Sequence, residues 1–184
     1  MNKFFCVFLI LPFFILSSCS KDFVISENNI SLSYKTEDRS INLWWKNIKG
    51  FVNLNWYLDW TEVNNIYVND NYIEIIDVSK FKKLWRLDVS NNNIRFPSDI
   101  KLPSQIRHLD LSNNKLSNLW YILDLKKLKT LNVSNNNLED NDFDFKNLDN
   151  IKYINAEWNN LSKDMFYKID EINSFYLKYN EKPF

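Results

Sequence analysis

Apolar residues in this chain fall into one phrase that recurs six times: an apolar residue, two variable positions, an apolar, one variable, an apolar, two variable, then Asn. The copies are Val63-Ile66-Val68, Leu84-Leu87-Val89, Ile106-Leu109-Leu111, Leu128-Leu131-Val133, Ile151-Ile154-Ala156 and Ile172-Phe175-Leu177. They end on Asn71, Asn92, Asn114, Asn136, Asn159 and Asn180, separated by 21, 22, 22, 23 and 21 residues. A self-similar period in this range predicts a solenoid, in which each coil buries its apolar face only against its neighbours. Alternation at the end of each phrase predicts a short strand, with Leu87 and Val89 inward and Arg86 and Asp88 outward in the second copy. Strands stacked in register make a parallel sheet. The Asn that follows suits the turn leaving the strand, because its amide both donates and accepts.

A second apolar rhythm runs through the return segments. Leu116, Leu119, Ile122 and Leu125 lead to Leu128, and Ile73, Ile76, Val78 and Phe81 lead to Leu84. Three-residue spacing predicts 3₁₀ or short helical turns. Between Ile94 and Gln105, Pro97 and Pro103 predict a more extended path.

The phrase matches L-x-x-L-x-L-x-x-N-x-L over residues 63–180, and in this the chain resembles the leucine-rich repeat family. It is closer to the short-repeat bacterial forms than to the long ribonuclease-inhibitor type. The resemblance implies an α/β solenoid with a parallel concave sheet and 3₁₀, short-helical or extended convex segments. It also implies that the six asparagines form a buried ladder. The family binds many unrelated partners, so the resemblance defines the architecture more sharply than the ligand.

The N-terminus carries separate information. Lys3 precedes an apolar run from Phe4 to Leu16, too short at about 13 residues for a spanning helix of ~20. Leu16-Ser17-Ser18-Cys19 then resembles the bacterial lipobox. That resemblance implies that residues 1–18 are a cleaved signal peptide and that Cys19 becomes the lipidated N-terminus. Two or three acyl chains hold a protein stably at a membrane, where one does so only marginally. Cys19-Ser20-Lys21-Asp22 partly resembles a Bacteroidetes surface-export signal, with Phe23 at its second acidic position. The expected location is the bacterial cell envelope, at the outer membrane or cell surface more than the inner membrane. Cys19 is then the sole cysteine of the mature chain, so packing alone must stabilise it.

About 165 residues remain after cleavage, enough for one domain with a sizeable core. Residues 19–40 are polar and mixed and are expected as a lipidated tether, with a short strand permitted by the alternation of residues 31–35. Residues 41–62 concentrate Trp44, Trp45, Trp56 and Trp60 and are expected as an aromatic N-terminal cap, or else as an aromatic platform for a glycan or protein. Residues 63–184 form the repeat domain.

Charge is balanced, 23 basic against 23 acidic, and no basic stripe stands out along the sequence, which disfavours nucleic acid. One Gly and four Pro leave no phosphate-cradling loop. No cofactor is implied. His108 beside Asp88, Asp110, Ser90 and Ser112 evokes a Ser-His-Asp set, but the serines belong to the repeat and nothing indicates an oxyanion hole. His108 is expected as a sheet histidine facing solvent, and no enzymatic activity is expected. With one His and no mature free thiol, no metal site is expected either.

Outward strand positions hold mostly short polar residues until the last two units. Tyr153, Trp158, Tyr176 and Tyr179 depart from that pattern and make the candidate contact patch, since Tyr and Trp dominate interface hot spots. The alternative is that they cover the exposed end of the solenoid. Six strands give a face of roughly 24 by 15 Å, on the order of 360 Å² against ~800 Å² per partner in a standard interface. The partner is therefore small or extended, or the caps and loops join the contact. The expected function is a lipid-anchored recognition module binding a protein or peptide. The alternative is a structural envelope lipoprotein that self-associates through an open C-terminal edge, unless Pro183 and Phe184 fold back as a lid over it.

Overall fold

A computed structural model of the protein describes residues 20–25, 30–35, 39–54, 62–143 and 150–177. Six short parallel strands line one side of the solenoid: β3 (Ser40–Asn42), β5 (Asn65–Tyr67), β7 (Arg86–Asp88), β9 (His108–Asp110), β10 (Thr130–Asn132) and β11 (Tyr153–Asn155). Their register is strict, with Leu87 opposite Leu109, Leu109 opposite Leu131 and Leu131 opposite Ile154. A hairpin of β1 (Ser20–Ile25) and β2 (Ile30–Lys35) pairs antiparallel with β3 and completes an eight-stranded sheet. On the return side β4 (Lys49–Asn53), β6 (Tyr72–Asp77) and β8 (Ile100–Lys101) form a second, parallel sheet.

The core lies between the two faces. Ile66, Leu87, Leu109, Leu131 and Ile154 stack as one fully buried column, with Val68, Val89, Leu111 and Val133 beside them. Ile73, Ile76, Ile94, Leu116, Leu119, Ile122 and Leu138 close on them from the return side. Each such side chain contributes roughly 1.5–3 kcal/mol by leaving water. The return segments differ from coil to coil. Between Leu116 and Leu128, Ile122 N donates to Leu119 O, Leu125 N to Ile122 O and Leu128 N to Leu125 O, the predicted i→i+3 turns. Ile73 and Ile76, expected in such turns, lie instead in β6, because β4 and β8 give that backbone ladder partners. The segment after Ile94 has one 3₁₀ turn, Pro97–Asp99, before β8.

Both ends of the repeat array depart from the sequence reading. The parallel sheet starts at β3, so residues 40–54, nearly all from the stretch expected as an aromatic cap, pair as a further coil, while Trp56 and Trp60 lie outside the described residues. Ile41 and Leu43 occupy the places of Ile66 and Val68, with Lys46 where later coils have Asn. The stretch expected as a tether contributes β1 and β2, which pair the otherwise open edge of β3. At the other end Ile172, Phe175 and Leu177 do not form a sixth repeat strand. They lie in helix α1 (Lys163–Leu177), which packs against β11. Met165 and Ile169 are buried and Ile172 half-buried, a spacing of four and three residues that suits one helix face. Ser162 Oγ accepts from Met165 N at 3.2 Å, a hydrogen bond that begins the helix.

Candidate recognition surface

The turn leaving each strand is built by the recurrent asparagines. Asn114 Nδ2 donates to Val89 O (3.0 Å), Leu111 O (3.1 Å) and Ser112 O (3.2 Å), while its Oδ1 accepts from Ile94 N (3.0 Å). Two of those four partners, Val89 and Ile94, belong to the preceding coil, so one amide stitches two coils together. Asn92, Asn136 and Asn159 repeat the pattern, reaching Val68, Leu111 and Val133 respectively. Asn71 does the same to the first coil through Leu43 O (2.8 Å), Lys46 N and Ile48 N (both 3.0 Å). Asn71, Asn92, Asn114 and Asn136 are buried. Asn180 lies outside the described residues.

The residue before each ladder Asn, and before Lys46 in the first coil, forms a second column. Trp45, Asp70, Asn91, Asn113, Asn135 and Trp158 all adopt left-handed backbone, with φ between 53° and 58°. Asp and Asn tolerate this conformation. A tryptophan there is strained by roughly 1–2 kcal/mol. Backbone bonds tie the column from coil to coil, Asp70 N to Ser90 O, Asn91 N to Ser112 O, Asn113 N to Ser134 O and Asn135 N to Glu157 O. Asn91 Nδ2 also donates to Asp70 Oδ1, and Asn135 Nδ2 to Asn113 Oδ1. A polar rim results, with a tryptophan at each end. Trp45 is 71% and Trp158 80% exposed, and Trp44 beside Trp45 is 55% exposed. With β3 and β11 five strand spacings apart, the two ends stand roughly 24 Å from each other.

Of the sequence-predicted patch, Trp158 projects from this rim. Tyr153 does not face solvent. It is 4% exposed, its strand neighbour Thr130 is wholly buried, and burial raises its phenol pKa. This end of the outward column is covered, and Tyr153 leaves the patch. Tyr176 sits in α1 rather than on a strand, its side chain outside the described residues, as are Tyr179 and Cys19. The sequence singles out Trp44 and Trp45 as part of an aromatic cap or platform, but Lys46 breaks the Asn motif that would have aligned Trp45 with Trp158.

The residues that evoked a catalytic set are not connected as one. Ser90 Oγ and Ser112 Oγ each donate to the aspartate two positions earlier at 2.7 Å, holding the strand-to-turn bend. His108 is half-buried, with Trp85 edge-on at 5.2 Å and Nδ1 sharing a hydrogen bond with Thr130 Oγ1 at 2.8 Å. Burial first, then the Arg86, Lys129 and Arg107 cations, push its pKa down to about 4. Asp110 moves the other way, raised chiefly by burial. Among the described residues, no group of three or more His, Cys, Asp or Glu is placed to hold a metal ion. Nor is any helix among them long and apolar enough to cross a membrane.

The Leucine Rich Repeat family model matches residues 105–124 and 127–148. An internalin (inlF) from Listeria monocytogenes has a similar structure, with TM-score 0.51 and 21% identity over 60% of this chain and 33% of that one. The chain thus spans about a third of that internalin's length. An internalin C2 (inlC2) of the same organism overlaps at TM-score 0.44 and 17% identity, over 71% of this chain and 68% of the other. No curated protein matches the sequence. The chain contains leucine-rich repeats, wound into the parallel-sheet solenoid that such repeats build.

Proposed function

We propose that this protein is a lipid-anchored recognition module at the bacterial cell surface, binding a protein or peptide partner along the rim between Trp45 and Trp158. One observation carries the reading: bulky tryptophans occupy left-handed, highly exposed positions at both ends of an otherwise polar column. Strain of this kind persists where the surrounding fold enforces it, and it concentrates at functional sites. Tryptophan is also the residue whose truncation most often weakens an interface. Leucine-rich repeat proteins generally bind protein partners, which supports the same class of function. A rim roughly 24 Å long suits an extended segment better than a broad globular face. The anchor rests on the lipobox ending at Cys19.

Capture of envelope proteins by the wild-type chain, by Trp158→Ala and by Cys19→Ala tests both halves. The expected partner is recovered by wild type and reduced at least about tenfold by Trp158→Ala, the hot-spot scale. Cys19→Ala should stop fatty-acid labelling and either release the protein from membranes or leave its leader uncleaved. Recovery of the bait alone would favour self-association instead.

A further inference from the structure

The residues just before the strands form a column of their own. Trp85 N donates to Asn64 O at 2.9 Å, Arg107 N to Trp85 O at 2.9 Å, Lys129 N to Arg107 O at 2.8 Å and Lys152 N to Lys129 O at 2.7 Å. The column therefore reads Asn64, Trp85, Arg107, Lys129, Lys152, ending in three consecutive exposed cations beside a tryptophan 37% exposed. At ~4.8 Å between strands, the three charges make a row about 10 Å long. The sequence hides this row because its members are 22 and 23 residues apart in a chain of balanced charge.

Like charges directly opposite one another on neighbouring strands destabilise a sheet. Ion pairs among the described residues join Arg39 and Lys83 to Glu62 and Lys101 to Asp77, and none reaches the row. The acid along the strand from Arg107, Asp110, is engaged by Ser112 and Asn132. Positive potential extends to the neighbouring His108, whose proton affinity Arg107 and Lys129 lower further after burial has acted.

We propose that Arg107, Lys129 and Lys152 dock an extended acidic segment of a partner protein. In an extended chain alternate side chains share one face at ~6.6–6.8 Å, so acids at every second residue each meet a long, flexible cationic arm. Trp85 lies at the end of the row and receives an apolar residue flanking the acids. Such a row sets register and speeds encounter more than it adds affinity, and salt screens it. The inference rests on the recognition reading above and specifies the chemistry of its partner.

The test titrates the full-length protein into a fluorescent decapeptide of alternating Glu and Ser with Leu at its N-terminus, followed by anisotropy. Binding should appear at low ionic strength, weaken with salt, and fall at least about tenfold in Arg107→Gln/Lys129→Gln/Lys152→Gln. Lys82→Gln/Lys115→Gln/Lys163→Gln, which removes equal charge elsewhere, should bind like wild type. Urea unfolding of the row variant should show equal or greater stability, since repulsion has been removed. No binding by wild type, or equal binding by the two triple variants, overturns the proposal. It also fails if phosphatidylglycerol vesicles bind through the row while the peptide does not. A partner captured through Trp158 but indifferent to the row variant would overturn this inference alone and leave the recognition reading standing.

Discussion

Asn173 closes the edge of the main sheet at Ile154: its Oδ1 accepts from Ile154 N at 2.8 Å and its Nδ2 donates to Ile154 O at 2.7 Å. One side-chain amide thus supplies the donor and acceptor that a further strand's backbone would have offered. The sequence places an open edge on a strand over Ile172, Phe175 and Leu177; that segment is instead helix α1, and it satisfies the edge of β11 at Ile154. Edge-to-edge self-association loses its driving force at this residue. Asn173→Ala should cost ~1–3 kcal/mol in urea unfolding, because the N–H and C=O of Ile154, in two successive peptide units, each lose this partner. The variant should also sediment with a larger dimer fraction than wild type. Unchanged stability together with unchanged sedimentation would show that the edge is protected by other contacts.

The ladder asparagines carry a similar energy in the middle of the solenoid. Asn114→Ala and Asn136→Ala each leave one buried N–H, that of Ile94 or Leu116, without its acceptor and take one of two donors from three carbonyls in two adjacent coils, and should each cost ~1–3 kcal/mol. Because coils contact only their neighbours, the loss should spread along the array, and amide exchange should accelerate in flanking coils as well. Wild-type melting temperatures in both variants would refute the ladder's role.

How much of this was legible in the sequence follows from what a nine-residue phrase can encode. It placed Leu87, Leu109 and Leu131 inward and Asn92, Asn114 and Asn136 in the turns, because period and polarity there reflect one repeated packing problem. It failed at both ends for different reasons. Ile172 and Phe175 fit the repeat, yet their three-residue spacing equally suits a helix, and buried Met165 and Ile169 extend only the helical pattern. Ile41-Asn42-Leu43 was passed over because Lys46 replaces the diagnostic Asn and the step to Ile66 is 25 residues. The left-handed conformation of Trp45 and Trp158 has no sequence signal in tryptophan itself. Alignment with Asp70, Asn91, Asn113 and Asn135 would have given one.

Backbone strain at the rim can be separated from recognition. Trp158 is 80% exposed, so removing it sacrifices little packing, while glycine relieves its left-handed φ of 58°. Trp158→Gly should leave stability unchanged or raise it by up to ~1 kcal/mol, while weakening partner capture. A marked loss of stability would assign Trp158 to the fold instead.

His108 predicts an acid-side instability. Its folded pKa of about 4 lies below its ordinary 6.5, so the unfolded chain binds the extra proton between those values. Stability from this residue is therefore full above pH ~6.5 and is lost as pH falls toward ~4. Water still reaches about half of the side chain, and the loss amounts to roughly 1–2 kcal/mol. Urea unfolding at pH 7.5 and 5 should show a smaller acid-induced loss in His108→Gln than in wild type. Parallel pH profiles for the two proteins would contradict the assignment.

Site-specific photo-crosslinking in intact cells tests the recognition surface most directly. A photoreactive residue at Asn113, exposed at the middle of the left-handed rim, is compared with one at Glu74, exposed on the return-side strand β6. The rim position should yield a discrete adduct with a second protein that disappears when Trp158→Ala is added, and Glu74 should yield none. Adducts from Glu74 and not from Asn113, or an Asn113 adduct indifferent to Trp158, would contradict a recognition surface on the rim.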